Sequence, residues 1–305
     1  MKFESRMMTG TLLQYGQGRQ CFVSGPGGAG GGVVGAKVCV VLGGLSDGLL
    51  ACPYAPALSE ALGRLGWSTV QPVLRSSYCQ FGFSSLAADC EDVAELLAFF
   101  GGDREVALVG HSTGSQIAAS FVASGRAAHH VVFQAGVSDR ETDDAAEAAA
   151  RAPLLERARE MVERRDGGEF LPRSAFWAPM TAQRYLDLLD VGGADDFFSA
   201  DLGDDDLRGR FENFRERNVN ALVCYSGADE YAPPSVDKAG LVRRLCGAMK
   251  GPDNRVVGCV LDRANHNLSR DDDAAAVFVA AVAAFLSGAP IDPPPLYESL
   301  PVNAP

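Results

Sequence analysis

The chain has 305 residues, 39 of them Asp or Glu and 27 Lys or Arg, which leaves a formal charge of −12. Nucleic-acid binding depends on Lys and Arg to neutralise phosphates, so no nucleic-acid partner is expected, and anionic membrane surfaces are disfavoured as well. With 47% hydrophobic and 22% charged residues the chain can bury a sizeable core, which excludes a disordered protein.

The N-terminal MKFESRMMTG lacks the apolar core of a signal peptide, and the longest apolar stretch, residues 274–286, is too short to span a bilayer. A soluble, cytoplasmic protein without membrane insertion is the expectation. The eight cysteines are scattered, several inside apolar runs, and read as small buried hydrophobes in a reducing compartment. No CxxC pair begins a zinc site, so no metal is called for.

Taken in chain order, β-rich apolar runs at 11–15 and 20–23 come first. The run SGPGGAGGGVVG at 24–35 looks like a phosphate loop, but no Lys-Ser or Lys-Thr pair follows, Pro26 removes a donor, and a strand comes next. It reads as a flexible surface connection. A strand at 37–42 leads into Gly44-Leu45-Ser46-Asp47-Gly48, which fits GxSxG, although Pro53 and Pro56 delay any helix after it. A strand at 68–72 precedes a helix at 86–100, where Leu86, Cys90, Val93, Leu97 and Phe100 form one stripe and Asp89, Glu91, Asp92 and Glu95 fall largely outside it. Gly101 and Gly102 close that helix.

A strand at 105–109 runs into Gly110-His111-Ser112-Thr113-Gly114, a second GxSxG, and then directly into the helix-compatible SQIAASFVAS. Strand, sharp turn and helix are what a nucleophile elbow needs to lift a serine hydroxyl above a sheet. Ser112 is therefore the expected nucleophile and Ser46 the poorer one. The Ser46 loop suits another role: its small residues let backbone N–H groups approach a developing oxyanion, complementing the residue after the nucleophile. Those donors are assigned to Leu45 and Thr113.

After a strand at 130–134 the β pattern stops. Residues 139–217 carry Ala-rich and Arg/Glu-rich helical sequence, an aromatic stretch, and acidic pairs around Asp195 and Asp204 that read as a solvated face. They are expected to form a helical cap inserted into a core made of 1–138 and 218–305, above the carboxyl ends of the strands where open α/β sheets bind ligands. Phe170, Phe176, Trp177, Tyr185, Phe197 and Phe198 are candidates to line an acyl site there. Strands at 221–225 and 255–261 follow, and the Pro-rich tail after Gly288 is expected to wrap the surface.

A serine needs a base, and the base an orienting carboxylate. His129 and His130 open a strand and read as packing or surface residues. His111, within the elbow, is turned away by that turn and is placed with Gly44 and Ser46 among the substrate-binding residues. His266 follows the strand at 255–261, at the carboxyl edge of the sheet, and is the expected base. Asp229 follows the strand at 221–225 and precedes His266, giving nucleophile, acid and base in the chain order of α/β-hydrolases. Asp139 and Glu230 are the rival acids.

The stretches from VVLGGLSDG to LRSSY, then LVGHSTGSQ, QAGVSDRE, YSGADEYAP and ANHNLS, resemble an α/β-hydrolase family long labelled as a domain of unknown function, whose fungal members include siderophore esterases. The similarity covers nearly the whole chain and is interrupted at the glycine run and at 145–152. It implies an α/β-hydrolase fold with a mostly parallel eight-stranded sheet, helices on both faces and an inserted cap. It also implies Ser112, Asp229 and His266 as a triad, Gly44 and Leu45 in the oxyanion loop, and hydrolysis of a small-molecule ester through an acyl-enzyme without any cofactor. A ligand-binding protein with a silent triad, or an acyltransferase using the same residues, stays open as an alternative.

Overall fold

The computed structural model describes residues 7–27, 33–270, 272–292 and 294–299. Part of the glycine run (28–32), the first six residues, residue 271, and 293 and 300–305 of the tail lie outside the described residues.

All eight expected strands form: β1 (Thr11–Tyr15), β2 (Arg19–Ser24), β3 (Lys37–Leu42), β4 (Trp67–Pro72), β5 (Glu105–His111), β6 (His130–Gln134), β7 (Asn220–Ser226) and β8 (Val256–Leu261). The tail does more than wrap the surface, because β9 (Tyr297–Ser299) pairs antiparallel with the edge of β8, and Glu298 accepts a 2.8 Å bond from Arg255. Among the described residues the sheet therefore has nine strands rather than eight, in the order β1-β2-β4-β3-β5-β6-β7-β8-β9, with the six from β4 to β8 parallel.

The central strands read as near-continuous apolar runs because both faces of the sheet are covered, as a parallel sheet requires. Side chains still alternate. Val38, Val40, Leu42, Leu108, Val131, Phe133 and Val223 enter one core with α2 (Leu86–Phe100), α3 (Thr113–Ala123) and α8 (Lys238–Met249). Cys39, Val41, Ala107, Val109, Val132, Leu222 and Cys224 enter the other, under α1 (Ala55–Arg64) and α9 (Asp272–Leu286). Seven of the cysteines are buried as expected, whereas Cys79, in a short 3₁₀ turn, is exposed.

Of the α2 stripe, Leu86, Cys90 and Val93 are buried and Leu97 and Phe100 partly so, while Leu96, Asp89 and Asp92 are drawn into the core with it. Arg75 reaches Asp92 through its backbone N–H, Nε and Nη2 at 2.6–2.9 Å, which is how a carboxylate is kept off solvent.

Between β6 and β7 the chain forms α4 (Ala145–Glu163), α5 (Ala182–Leu189), α6 (Asp204–Arg210) and α7 (Glu212–Glu216). Helices α4 and α5 build a separate apolar cluster with Leu171, Ala178 and Met180, seated on Phe81 and Leu45. The rest of the segment belongs to the main core: Phe197, Phe198, Phe211 and Phe214 pack with one another around Phe133 of β6. Asp195 and Asp196 are not a solvated face. Arg184 grips Asp195 with both terminal nitrogens, at 2.6 and 2.7 Å, and Arg140 donates to Asp196 at 2.8 Å. Asp204, Asp205 and Asp206 remain exposed in the first turn of α6, where acidic side chains favour the helix dipole.

Candidate active site

Strand β5 ends at His111 and α3 begins at Thr113, leaving Ser112 alone to reverse the chain. Its φ of 53° and ψ of −124° are strained for an L residue, at a cost of about 1–3 kcal/mol. The flanking glycines make the turn sterically possible. A Cβ on Gly110 would collide with the Gly114 carbonyl, and one on Gly114 would collide with the Leu42 carbonyl oxygen of β3. The Ser112 N–H donates to the Gln134 carbonyl at 3.0 Å, fastening the turn to β6.

The neighbouring loop after β3 brings Gly44 so close that a Cβ there would lie 3.2 Å from Ser112 Cβ. The Gly44 N–H is taken by Asp47 Oδ2 at 2.7 Å. Neither the Leu45 N–H nor the Thr113 N–H has a hydrogen-bond partner among the described residues, and Thr113 opens α3, where the helix dipole is positive.

His266 lies in the loop between β8 and α9, and Asp229 in the loop after β7; both are buried. The His266 Nδ1 stands 2.9 and 2.8 Å from the two oxygens of Asp229. An ionised carboxylate only accepts, so Nδ1 carries the proton and the lone pair of Nε2 is left for other work. The Asp229 carboxylate also accepts from the Tyr231 N–H at 3.0 Å. Glu230 holds the backbone instead: its Oε2 accepts the His266 N–H at 2.8 Å. Partial burial works to raise the Glu230 carboxyl, but the N–H bonds from His266 and its own residue outweigh it and leave the pKa below its usual value.

His111 is not turned away by the elbow. Its ring packs against that of His266 with centroids 4.9 Å apart, and Tyr231 closes the other side at 4.6 Å. Burial first, and then the nearby His266, push the His111 pKa down to about 4, so it is neutral at physiological pH. Gln134, which has no role legible from sequence alone, joins these parts. Its Nε2 donates to the His266 carbonyl at 2.9 Å and to Ser226 Oγ at 3.2 Å, so its Oε1 is the acceptor facing His111 Nδ1 at 2.6 Å. The one available signal is a polar residue closing the apolar strand HVVFQ.

Ser112, His266 and the Gly44 loop open onto one cavity of about 830 Å³. Ser46 and Asp47 line it from the β3 loop, Glu147, Arg151 and Leu154 from α4, and Tyr185 and Leu188 from α5. Of the aromatic candidates, Phe176, Trp177 and Tyr185 reach the cavity, whereas Phe197 and Phe198 are core and Phe170 packs on Phe83. Ser112 Oγ has no hydrogen-bond partner among the described residues.

The model of the family described as a protein of unknown function, DUF1749, matches residues 3–287. The chain belongs to the DUF1749 family. It is similar to the fusarinine C esterase sidJ of Aspergillus fumigatus, at 30% identity over 295 residues, with 76% of this chain and 83% of that protein covered. A UPF0613 protein of Schizosaccharomyces pombe is 34% identical over 261 residues, covering 76% of this chain and 81% of its own. Among solved structures, the siderophore hydrolase EstB of Aspergillus fumigatus superposes with a TM-score of 0.75 at 26% identity, over 94% of this chain and 99% of that one. This DUF1749 protein is thus an esterase with the α/β-hydrolase fold. Among its described residues no helix is long and apolar enough to cross a membrane.

The rival acid Asp139 also lines the cavity of this DUF1749 protein, but its Oδ2 accepts from Gln116 at 2.6 Å and no bond joins it to His266 among the described residues. Burial, and after it the charge of Asp195, push its carboxyl from the usual 3.8 up to about 6. Between those two values the folded protein keeps a proton that the unfolded chain has released, so this group's contribution to stability is present below about 4 and is lost as pH rises through about 6. An asparagine has no such proton to lose. Relative to wild type, the Tm of Asp139→Asn is therefore expected to rise between about pH 4 and 6 and to keep a constant offset above; melting curves whose offset does not change with pH would refute this.

Proposed function

We propose that the esterase chemistry of this family is carried here by Ser112, His266 and Asp229. The observation that carries the reading is the Asp229–His266 pair, at 2.8 and 2.9 Å, beside the same cavity as a serine held on a strained strand-to-helix turn. In this reading His266 Nε2 takes the Ser112 proton as Oγ attacks the ester carbonyl. The Leu45 and Thr113 N–H groups then receive the tetrahedral oxyanion. Asp229 fixes the imidazole tautomer and stabilises the imidazolium. The alcohol leaves with the proton from His266, which next activates water to release the acid and free Ser112.

A cavity of about 830 Å³ suits a small-molecule ester. In this reading the insertion at 139–217 caps the site through α4 and α5, which shape the substrate wall, while its later part, with Phe197, Phe198, Phe211 and Phe214, packs into the core of 1–138 and 218–305. Gly44, Ser46 and His111 contact the substrate from below. Among its charged side chains the wall is mostly acidic, with Asp47, Glu141, Asp143, Glu147 and Glu230, and among its described residues Arg151 is the single Lys or Arg. A carboxylate product is repelled by such a wall, which favours its departure and selects against substrates that are already anionic. Siderophore-type esters, by likeness to the named relatives, belong in the first substrate panel.

Rapid mixing with p-nitrophenyl butyrate tests the two-step route. A burst of about one equivalent of p-nitrophenolate per chain, followed by slower turnover, is expected of an acyl-enzyme. Absence of turnover across acyl lengths and siderophore-type esters, together with stabilisation by the same compounds, would show a binding protein instead.

A further inference from the structure

A second, much smaller cavity lies beside the first. It shares Gly44, Leu45 and Asp47 with the substrate wall and continues to Asp89 of α2, Thr113 of α3 and Arg184 of α5. Its volume, about 20 Å³, is room for one water molecule.

Two side chains that line it are buried with a polar atom unpaired. Asp89 Oδ1 and Thr113 Oγ1 have no hydrogen-bond partner among the described residues, and the two residues are 2% and 5% exposed. Buried polar groups are rarely left so, and two on one enclosed space mark a bound polar molecule. The obvious ionic partner is already committed: Arg184 gives Nη1 and Nη2 to Asp195 and Nε to the Phe81 carbonyl. Ser76 lines the same cavity and works to lower the Asp89 pKa, and Asp92 is the nearby like charge. Burial pushes the Asp89 carboxyl up to about 7, so the site does not present the full negative charge that would hold a cation. A neutral molecule that both donates and accepts fits the pair.

We propose that this cavity holds one ordered water molecule bonded to Asp89 Oδ1 and Thr113 Oγ1, and that through it Asp89 positions the oxyanion donors. The role rests on the Ser112 reading above, since Thr113 supplies one proposed donor and the Gly44–Leu45 loop, which forms another wall of the cavity, supplies the second. A water tied to α2 on one side and to the first residue of α3 on the other fixes the Thr113 N–H relative to that loop. Asp89 is thereby a positioning residue, remote from the reacting atoms.

A high-resolution diffraction structure of the full chain tests the site. One ordered water within about 2.5–3.0 Å of both oxygens is expected. A dry cavity, or a direct bond between Asp89 and Thr113, overturns the assignment. Kinetics on p-nitrophenyl butyrate test the role. Thr113→Val keeps the side-chain shape and the backbone N–H but loses the hydroxyl; it is expected to lower kcat roughly tenfold with KM little changed, while Thr113→Ser restores kcat. Asp89→Asn, which can still bond the water, is expected to stay near wild type where Asp89→Leu falls with Thr113→Val. Should Asp89→Leu fail to fold, the Val and Ser pair at 113 decides. Unchanged kcat in folded Thr113→Val overturns the positioning role. Failure of the catalytic reading would show separately, as esterase activity that survives Ser112→Ala.

Discussion

Replacing Ser112 by alanine is expected to lower kcat for ester hydrolysis by roughly 10⁴-fold to 10⁶-fold, because the acyl-enzyme can no longer form. The fold is expected to survive. The turn is set by Gly110, by Gly114 and by the Ser112 N–H bond to Gln134, none of which needs the hydroxyl. Circular dichroism and Tm should therefore match wild type closely. Ser46→Ala gives the contrast. Ser46 lines the same cavity and sits in a second GxSxG, but the helix after its loop starts only at Ala55, so no elbow lifts its hydroxyl. Its loss is expected to change kcat/KM by less than about tenfold, within what one peripheral contact supplies. Equal losses in the two variants would contradict the assignment of the nucleophile.

Asp229→Asn carries the second large effect, a loss of roughly 10⁴-fold in kcat with little change in fold. Both carboxylate oxygens of Asp229 face His266 Nδ1, and an amide there can present its NH₂ group, which favours the tautomer with the proton on Nε2. The base is then occupied by its own proton. The neighbouring acids supply controls. Asp139→Asn keeps an acceptor for Gln116 and does not touch the imidazole, so kcat should fall less than about tenfold. Glu230→Gln still accepts from the His266 N–H and should behave similarly. Steady-state rates of the three variants at one pH separate the possibilities, and a loss at Asp139→Asn equal to that at Asp229→Asn would move the acid to Asp139.

The strands are legible because a parallel sheet buried on both faces writes itself as short apolar runs, and all eight begin and end within about two residues of the pattern. The elbow is legible for a local reason too: Gly110, Ser112 and Gly114 lie close together in the chain, between a strand and a helix. What escapes depends on partners distant in sequence. Asp195 and Asp196 look like solvated acids until Arg184 and Arg140 are folded onto them. Asp89 and Asp92 lie off the apolar stripe of α2, yet the chain around Arg75 and Ser76 covers them. Strand β9 is short and is recruited by the free edge of β8, which no local propensity in a Pro-rich tail announces. Gln134 reads as the polar end of a strand, and its importance exists only where the His111, Ser226 and His266 segments meet. The position of His111 is hidden in the same way: the turn reverses the chain, but the β8–α9 loop brings the His266 ring back onto it.

The most direct test of an activated serine is covalent labelling with a fluorophosphonate probe, followed by mass-spectrometric mapping of the adduct. The probe should modify folded wild-type protein once, on Ser112; label Ser46→Ala equally; and leave Ser112→Ala unmodified. An adduct on Ser46, or folded wild-type protein that resists labelling while small esters demonstrably enter the cavity, would contradict a nucleophilic Ser112.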